Sequence, residues 1–232
     1  MSVYRLTDKI IFPPPEYADE DGLLAVGGDL SEERLLLAYA MGIFPWYSED
    51  SPILWWSPDP RLILIPKEVR VSRSLKQTIK KGIYEVTMDK AFDRVVRSCA
   101  EVHRKKDGKT WITQDMFDAY LRLHGSGVAH SVESWYRREL AGGLYGVALG
   151  GAFFGESMFT KRTDASKVAF VNLVHYLLQW DFELIDCQVT TEHLMSLGAK
   201  NVSRSKFLGI LRHALRRQTR RGIWGIPPLP EG

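Results

Sequence analysis

Three side chains in the second half of the chain have the types and spacing to do chemistry. Asp186 and Gln188 stand in the run Leu184-Ile185-Asp186-Cys187-Gln188-Val189, which reads as a strand. Alternation along a strand puts Asp186 and Gln188 on one face and Ile185 and Cys187 on the other. A carboxylate beside an amide on a largely buried strand costs free energy unless both are hydrogen-bonded or used, so the pair is either a satisfied structural element or the floor of a site. The third is Glu156, the lone acid among Phe153, Phe154, Met158 and Phe159, where a carboxylate is a candidate for function.

Other chemistries are poorly supported. The six histidines, at 103, 124, 130, 175, 193 and 213, lack the H-E-x-x-H spacing of a metal site, and the two cysteines form no C-x-x-C pair, so no metal is expected. Ser157 in Gly155-Glu156-Ser157-Met158 lacks the second glycine of a nucleophile elbow. A different resource lies upstream, in Gly42-Ile43-Phe44-Pro45-Trp46-Tyr47 and Leu54-Trp55-Trp56-Ser57-Pro58-Asp59-Pro60-Arg61. Prolines stiffen such loops, and an indole held on one can either pack into the core or stack a nucleobase.

The elements that must position these groups follow from pattern. Ser31 caps a helix that Gly42 ends, and Leu62 to Ile65 is a buried-type strand near which a domain boundary is placed. Residues 1–62 thus form a small N-terminal α/β domain and 63–232 a larger one. Ser72 or Ser74 caps a helix to about Lys81, Asp89 begins another, Arg104 to Lys109 is a loop, and Thr113 caps the next helix. Leu140 to Leu149, the turn Gly150-Gly151 and Ala152 to Phe159 form a hairpin. Asp164 caps an apolar helix to Gln179, Thr190 or Thr191 a short one, and Ser203 a basic one after a strand near Val202. The tail Trp224 to Pro230 reads as extended.

Composition sets the class. Apolar residues at 45% and charged residues at 25% are ordinary for a globular domain, and a net charge of +3 is too slight to announce a nucleic acid. Distribution says more: residues 200–222 hold eight Lys and Arg and no acid, and residues 67–81 hold six against Glu68. Either suits a polyanion or a solvated helix face. Sparse cysteines, no secretory signal in MSVYRLTDKIIF and no long apolar run point to a cytoplasmic protein without a membrane span.

The order strand, hairpin, helix, strand, helix, strand is an α+β arrangement that resembles the GNAT-type acyltransferases, with a mixed central sheet flanked by helices. Thr160-Lys161-Arg162-Thr163-Asp164-Ala165 stands where those enzymes carry an R/Q-x-x-G-x-G/A loop, which argues against coenzyme A, and no cofactor is expected. A resemblance across nearly the whole chain is more specific. Gly27-Gly28-Asp29-Leu30, Gly42-Ile43-Phe44-Pro45-Trp46, Trp55-Trp56-Ser57-Pro58-Asp59-Pro60-Arg61, Trp111-Ile112-Thr113, Gly155-Glu156-Ser157-Met158-Phe159, Ile185-Asp186-Cys187-Gln188 and Leu197-Gly198-Ala199 look like the leucyl/phenylalanyl-tRNA-protein transferases of bacteria.

That resemblance implies transfer of Leu or Phe, and less readily Met, from aminoacyl-tRNA to proteins beginning with Arg or Lys, which creates a degradation signal. By it, Gln188 contacts the attacking amine and Asp186 acts through Gln188. Trp46 and Trp111 hold the terminal adenosine with Tyr39 and Tyr120 near it, and Glu156 meets the donor's amino group. Leu144, Phe153, Met158, Phe170, Leu173 and Ile185 line the side-chain pocket, and Arg73, Lys76, Lys80 and Lys81 meet the acceptor arm. The protein is expected to be a monomer. An acetyl-CoA-dependent acetyltransferase and a non-catalytic RNA-binding module remain the alternatives.

Overall fold

Strand-forming segments collect into two mixed sheets in the computed structural model, which describes residues 3–225, the side chains of 106 and 107 excepted. The first sheet takes β1 (Tyr4–Leu6), β2 (Leu23–Gly27), β3 (Phe44–Pro45) and β4 (Leu54–Trp56) in the order β1-β2-β4-β3. Helix α1 (Glu32–Ala40) leaves this sheet after Ser31, whose hydroxyl accepts the Arg34 N–H as an N-cap.

The second sheet is built from β5 (Arg61–Leu64), β6 (Glu85–Met88), β7 (Ala129–Tyr136), β8 (Glu139–Leu149), β9 (Ala152–Thr160), β10 (Leu184–Gln188) and β11 (Lys200–Val202). Its order is β11-β5-β10-β9-β8-β7-β6, and of these neighbours only β9 and β10 run parallel. A parallel pair needs a long crossover, supplied by α5 (Ala165–Gln179). The remaining helices are α2 (Arg73–Lys80), α3 (Phe92–Asp107), α4 (Gln114–Gly125), α6 (Glu192–Ser196) and α7 (Arg204–Ala214). Ser72, Thr113, Thr191 and Ser203 each accept the backbone N–H three residues on, as caps.

Each face of the large sheet is covered. On one, Val95 and Cys99 of α3, Phe117 and Tyr120 of α4 and Phe207 of α7 pack in a single core with Leu35, Tyr39 and Trp55 from the first sheet and α1. On the other, Leu75 of α2 and Val168, Phe170 and Leu173 of α5 pack with Trp224.

Two expected caps are not caps. Asp89 does not begin α3: it sits in the left-handed region at φ 56°, and its carboxylate accepts the backbone N–H groups of Ser131 (2.9 Å) and Trp224 (2.6 Å) beside His130. The helix starts at Phe92, with the Ala91 N–H donating to Glu133 instead, and it runs on through the expected loop to Asp107. Asp164 stands at the N-cap of α5 at φ 64° without capping it; its carboxylate accepts the Thr78 hydroxyl at 3.3 Å. A short polar side chain tolerates the left-handed region, and in both places it is used across elements. Of the expected extended tail, residues 226–230 lie outside the described residues.

Trp224 closes the second face. Its indole lies flat on His130 at 3.7 Å between ring centroids and meets Trp180 edge-on at 4.9 Å. Burial and ring contacts together make it an anchor for the end of the chain. Trp224→Ala is expected to lower the unfolding free energy by about 3 kcal/mol, read from urea denaturation at unchanged m-value.

Candidate active site

Two irregularities in neighbouring strands build the site. In β9, Tyr145 and Gly146 of β8 face Ser157 and Gly155, which leaves Glu156 as an extra residue. In β10, Ile63 and Leu62 of β5 face Asp186 and Gln188, which leaves Cys187 as another. Pairing between β9 and β10 ends at Asp186 and Phe154, just before both bulges. A bulge turns the side chains after it, so strict alternation fails here. The expectation that Asp186 and Gln188 share a face is thereby corrected: Gln188 lines a cavity with Ile185 and Cys187, and Asp186 does not. Gln188 occupies the left-handed region at φ 63°, a conformation that costs a non-glycine residue about 1 kcal/mol or more.

Behind the gap lies a hydrogen-bond cluster around Glu156. Its Oε1 accepts the Tyr39 hydroxyl at 2.8 Å and the Gln188 amide Nε2–H at 2.8 Å, and its Oε2 accepts the Tyr120 hydroxyl at 2.5 Å. The two tyrosine oxygens are themselves 2.6 Å apart. Three oxygen–oxygen links thus close a ring that two hydroxyl hydrogens cannot fill; in the protonated acid one carboxyl–tyrosine link reverses, Glu156 donating, and the freed hydroxyl hydrogen fills the tyrosine–tyrosine link. Burial acts in the same direction. It lifts the carboxyl to about 7, against the downward pull of the Tyr120, Tyr39 and Gln188 donors. Both tyrosine hydroxyls are held well above their ordinary range, chiefly by burial and then by the Glu156 charge, though the donor bond from Tyr120 partly offsets this at Tyr39.

Asp186 belongs to a second layer. Arg61, at the start of β5, grips it with Nε to Oδ1 at 2.8 Å and a terminal nitrogen to Oδ2 at 2.6 Å, and both side chains are buried. Oδ1 also accepts the backbone N–H of Gln188 at 3.0 Å. The carboxylate therefore touches Gln188 through the main chain, and the side-chain amide of Gln188 is spent on Glu156.

In front of Glu156 and Gln188 opens a cavity of about 550 Å³. Leu144, Phe153, Met158, Phe170, Leu173 and Ile185, the expected pocket residues, all line it. Trp46 and Trp111 stand on its wall, Trp46 remaining 44% exposed at the mouth and tilted against Trp56. Tyr39 and Tyr120 are fully buried and outside the lining, so their contact with the site runs through Glu156. Arg73, Lys76, Lys80 and Lys81 are exposed on or just after α2, which packs against α5. The later basic segment is partly committed within the chain: Arg204 donates to the Ser57 carbonyl, Lys200 pairs with Glu68 and Arg217 with Glu183.

Several residues at the site escape a sequence reading. Arg61 had one signal, a charge at the start of a buried strand. His103, whose Nε2 lies 3.1 Å from Ser157 Oγ on the cavity wall, and His193, which also lines the cavity, carry no spacing that marks them. Among the described residues no cluster of His, Cys, Asp and Glu could hold a metal. Neither cysteine is a nucleophile at neutral pH, because burial pushes both thiols up, Cys99 to about 12.

Comparison with known proteins gives the same region a family. The profile described as "Leucyl/phenylalanyl-tRNA protein transferase" matches residues 63–212, and that of its N-terminal domain matches residues 28–59. Proteins named leucyl/phenylalanyl-tRNA–protein transferase from Syntrophobacter fumaroxidans and from Anaeromyxobacter sp. (strain Fw109-5) are 62% and 61% identical to this chain. The first alignment covers 91% of this chain and 90% of that protein, the second 97% and 96%. Among solved structures, an aminoglycoside acetyltransferase from an uncultured soil metagenomic sample aligns with a TM-score of 0.40 at 11% identity, over 50% of this chain and 84% of that one. L-PGS from Bacillus licheniformis aligns with a TM-score of 0.40 at 10% identity, over 72% and 53%.

The buried acid makes a measurable demand on the fold. Its folded value, about 7, stands above the unfolded 4.5, so its contribution to stability is fully present below pH 4.5 and is lost as pH rises through 7. Glu156→Gln keeps the shape and removes the titration. The difference in unfolding free energy between the native protein and this variant is expected to move by about 3 kcal/mol, to the native protein's disadvantage, between acid and neutral pH. Urea denaturation across that range measures it.

Proposed function

Because the chain belongs to the leucyl/phenylalanyl-tRNA protein transferase family and is an aminoacyltransferase, we propose how its site divides the work of moving an amino acid from tRNA to a protein. The donated residue is Leu or Phe, and less readily Met, and the acceptor is the α-amine of a protein beginning with Arg or Lys. The product carries an N-terminal degradation signal. The protein acts as a cytoplasmic monomer; the cavity, its acid and its amide all come from one chain.

The observation that carries this reading is an apolar cavity ending on Glu156 and Gln188. Unbranched and γ-branched side chains fit such a lining by shape, and selectivity among them is modest. With Nε2 donating to Glu156, the planar amide of Gln188 has its oxygen left to accept an N–H of the attacking amine. Glu156 lies beside it to meet the amino group of the donated residue. Trp46 and Trp111 offer aromatic faces to the terminal adenosine, and Tyr39 and Tyr120 support it from behind through Glu156.

The donor is an activated ester, so the enzyme's task is placement. The amine nitrogen forms a bond to the ester carbonyl carbon, and the bond from that carbon to the ribose oxygen breaks. The amine gives up one proton and the ribose oxygen gains one. An α-amine with a reference value near 8 is partly neutral at cellular pH, so modest assistance suffices.

Incubation with labelled Leu-tRNA and an Arg-initiated peptide is expected to give labelled peptide, and Val-tRNA or a Gly-initiated peptide far less. No transfer in the first pair overturns the assignment. Arg73, Lys76, Lys80 and Lys81 are assigned to the tRNA backbone. Lys76→Ala with Lys80→Ala is therefore expected to raise KM for Leu-tRNA, to reduce the slope of log affinity against log salt by about 2 and to leave transfer from phenylalanyl-adenosine intact.

A further inference from the structure

We infer that Arg61 is a positioning residue of the transfer reaction, acting on Gln188 through Asp186 and tying that amide to the aromatic segment that carries Trp46. The inference rests on the role proposed for Gln188. Arg61 does not line the cavity itself, although the Phe44 ring it packs on does. Its side chain is 1% exposed, and its guanidinium holds both oxygens of Asp186, one of which accepts the Gln188 N–H. That N–H belongs to a residue in the left-handed region just after a bulge, where the register with β5 shifts, and its acceptor is the Asp186 carboxylate. Without a fixed acceptor the peptide at 188 has little to hold it in an unfavourable conformation, and the side-chain amide would swing with it.

The guanidinium is itself fixed from two sides. It lies over the ring of Phe44 at 4.7 Å and over the ring of Phe207 at 4.6 Å, the first on β3 two residues before Trp46, the second on α7. Only a planar cation can grip a carboxylate edge-on while its faces meet two rings, so lysine does not substitute. One terminal nitrogen of Arg61 has no hydrogen-bond partner, although it is buried. Stability alone does not account for such a group, since a buried ion pair exchanged for apolar residues often leaves a fold as stable or more so. What the arrangement secures is direction: the aromatic wall, the guanidinium, the carboxylate and the Gln188 main chain form one rigid series.

Arg61→Ala, checked for folding by near-ultraviolet circular dichroism and thermal unfolding, is tested with phenylalanyl-adenosine and an Arg-initiated peptide beside the native protein. The expected result is a kcat about 100-fold lower, the cost of a displacement on the order of 1 Å. KM for the donor should stay within about threefold, because every lining residue is kept and only the buried side of Phe44 loses a neighbour. Ethylguanidinium should restore kcat and ethylammonium at the same concentration should not. A folded variant with undiminished kcat, or with its loss confined to KM, or equally rescued by both ions, overturns the inference. Should Arg61→Ala fail to fold, Arg61→Lys takes its place, with kcat expected to fall at least about tenfold at unchanged KM; wild-type kcat in that variant overturns the inference. A native protein that transfers nothing overturns the parent reading and this one with it, whereas an active native protein beside an undiminished variant overturns only the role of Arg61.

Discussion

A carboxyl group taken out of bulk water has to be given donors, and the rest of this structure is arranged around giving them to Glu156. They come from α1, α4 and β10, the most distant donor lying 117 residues from Glu156 in sequence. Because each donor is a side chain on a packed element, the tyrosines can reach the acid only when the first sheet, the α3–α4 pair and the large sheet have joined in one core. Site assembly and folding are therefore the same event. A partial structure that lacked α1 would leave the acid under-satisfied, at a cost on the order of 1–3 kcal/mol for each missing donor.

The acid and the apolar cavity also define each other. A lining of leucine, phenylalanine, methionine and isoleucine lowers the local dielectric, which strengthens every hydrogen bond at its floor and raises the cost of leaving one unmade. That is the setting in which an amide with a fixed direction is worth more than a mobile base. It also explains the layering: the charge that needs most support, Asp186, is placed one shell back with its own counter-ion. The groups left facing the cavity are an amide and a carboxyl that burial lifts to about 7.

Much of this was legible in the residues. The caps at Ser31, Ser72, Thr113, Thr191 and Ser203 follow from one side chain each, and the Gly150 turn from a positive φ, since local rules act locally. Glu156 stood out as a lone acid in an apolar strand, and the residues that the resemblance grouped as a pocket line one cavity. What periodicity could not provide was the pair of bulges, because a period of two assumes an unbroken ladder. Gly155 beside Glu156 was the one local sign, a glycine inside a strand pattern. Arg61 went unassigned for a different reason. Its partner lies 125 residues away and its two aromatic neighbours lie on separate elements, so nothing within a window of sequence connects them.

The two extra residues also bear on how such a protein can change over time. Loss of Glu156 or Cys187 would leave β9 or β10 in regular register with its neighbour, and the sheet would be closer to ideal for it. The site would be lost all the same: without Glu156 the Tyr39 and Tyr120 hydroxyls and the Gln188 amide have no common acceptor, and without Cys187 the bulge that precedes Gln188 at positive φ is gone. Substitution can therefore retune the lining one position at a time, whereas a single-codon deletion at either bulge keeps the strand pairing and removes the local geometry that builds the site. The length of these strands, more than their composition, is what descent has to keep.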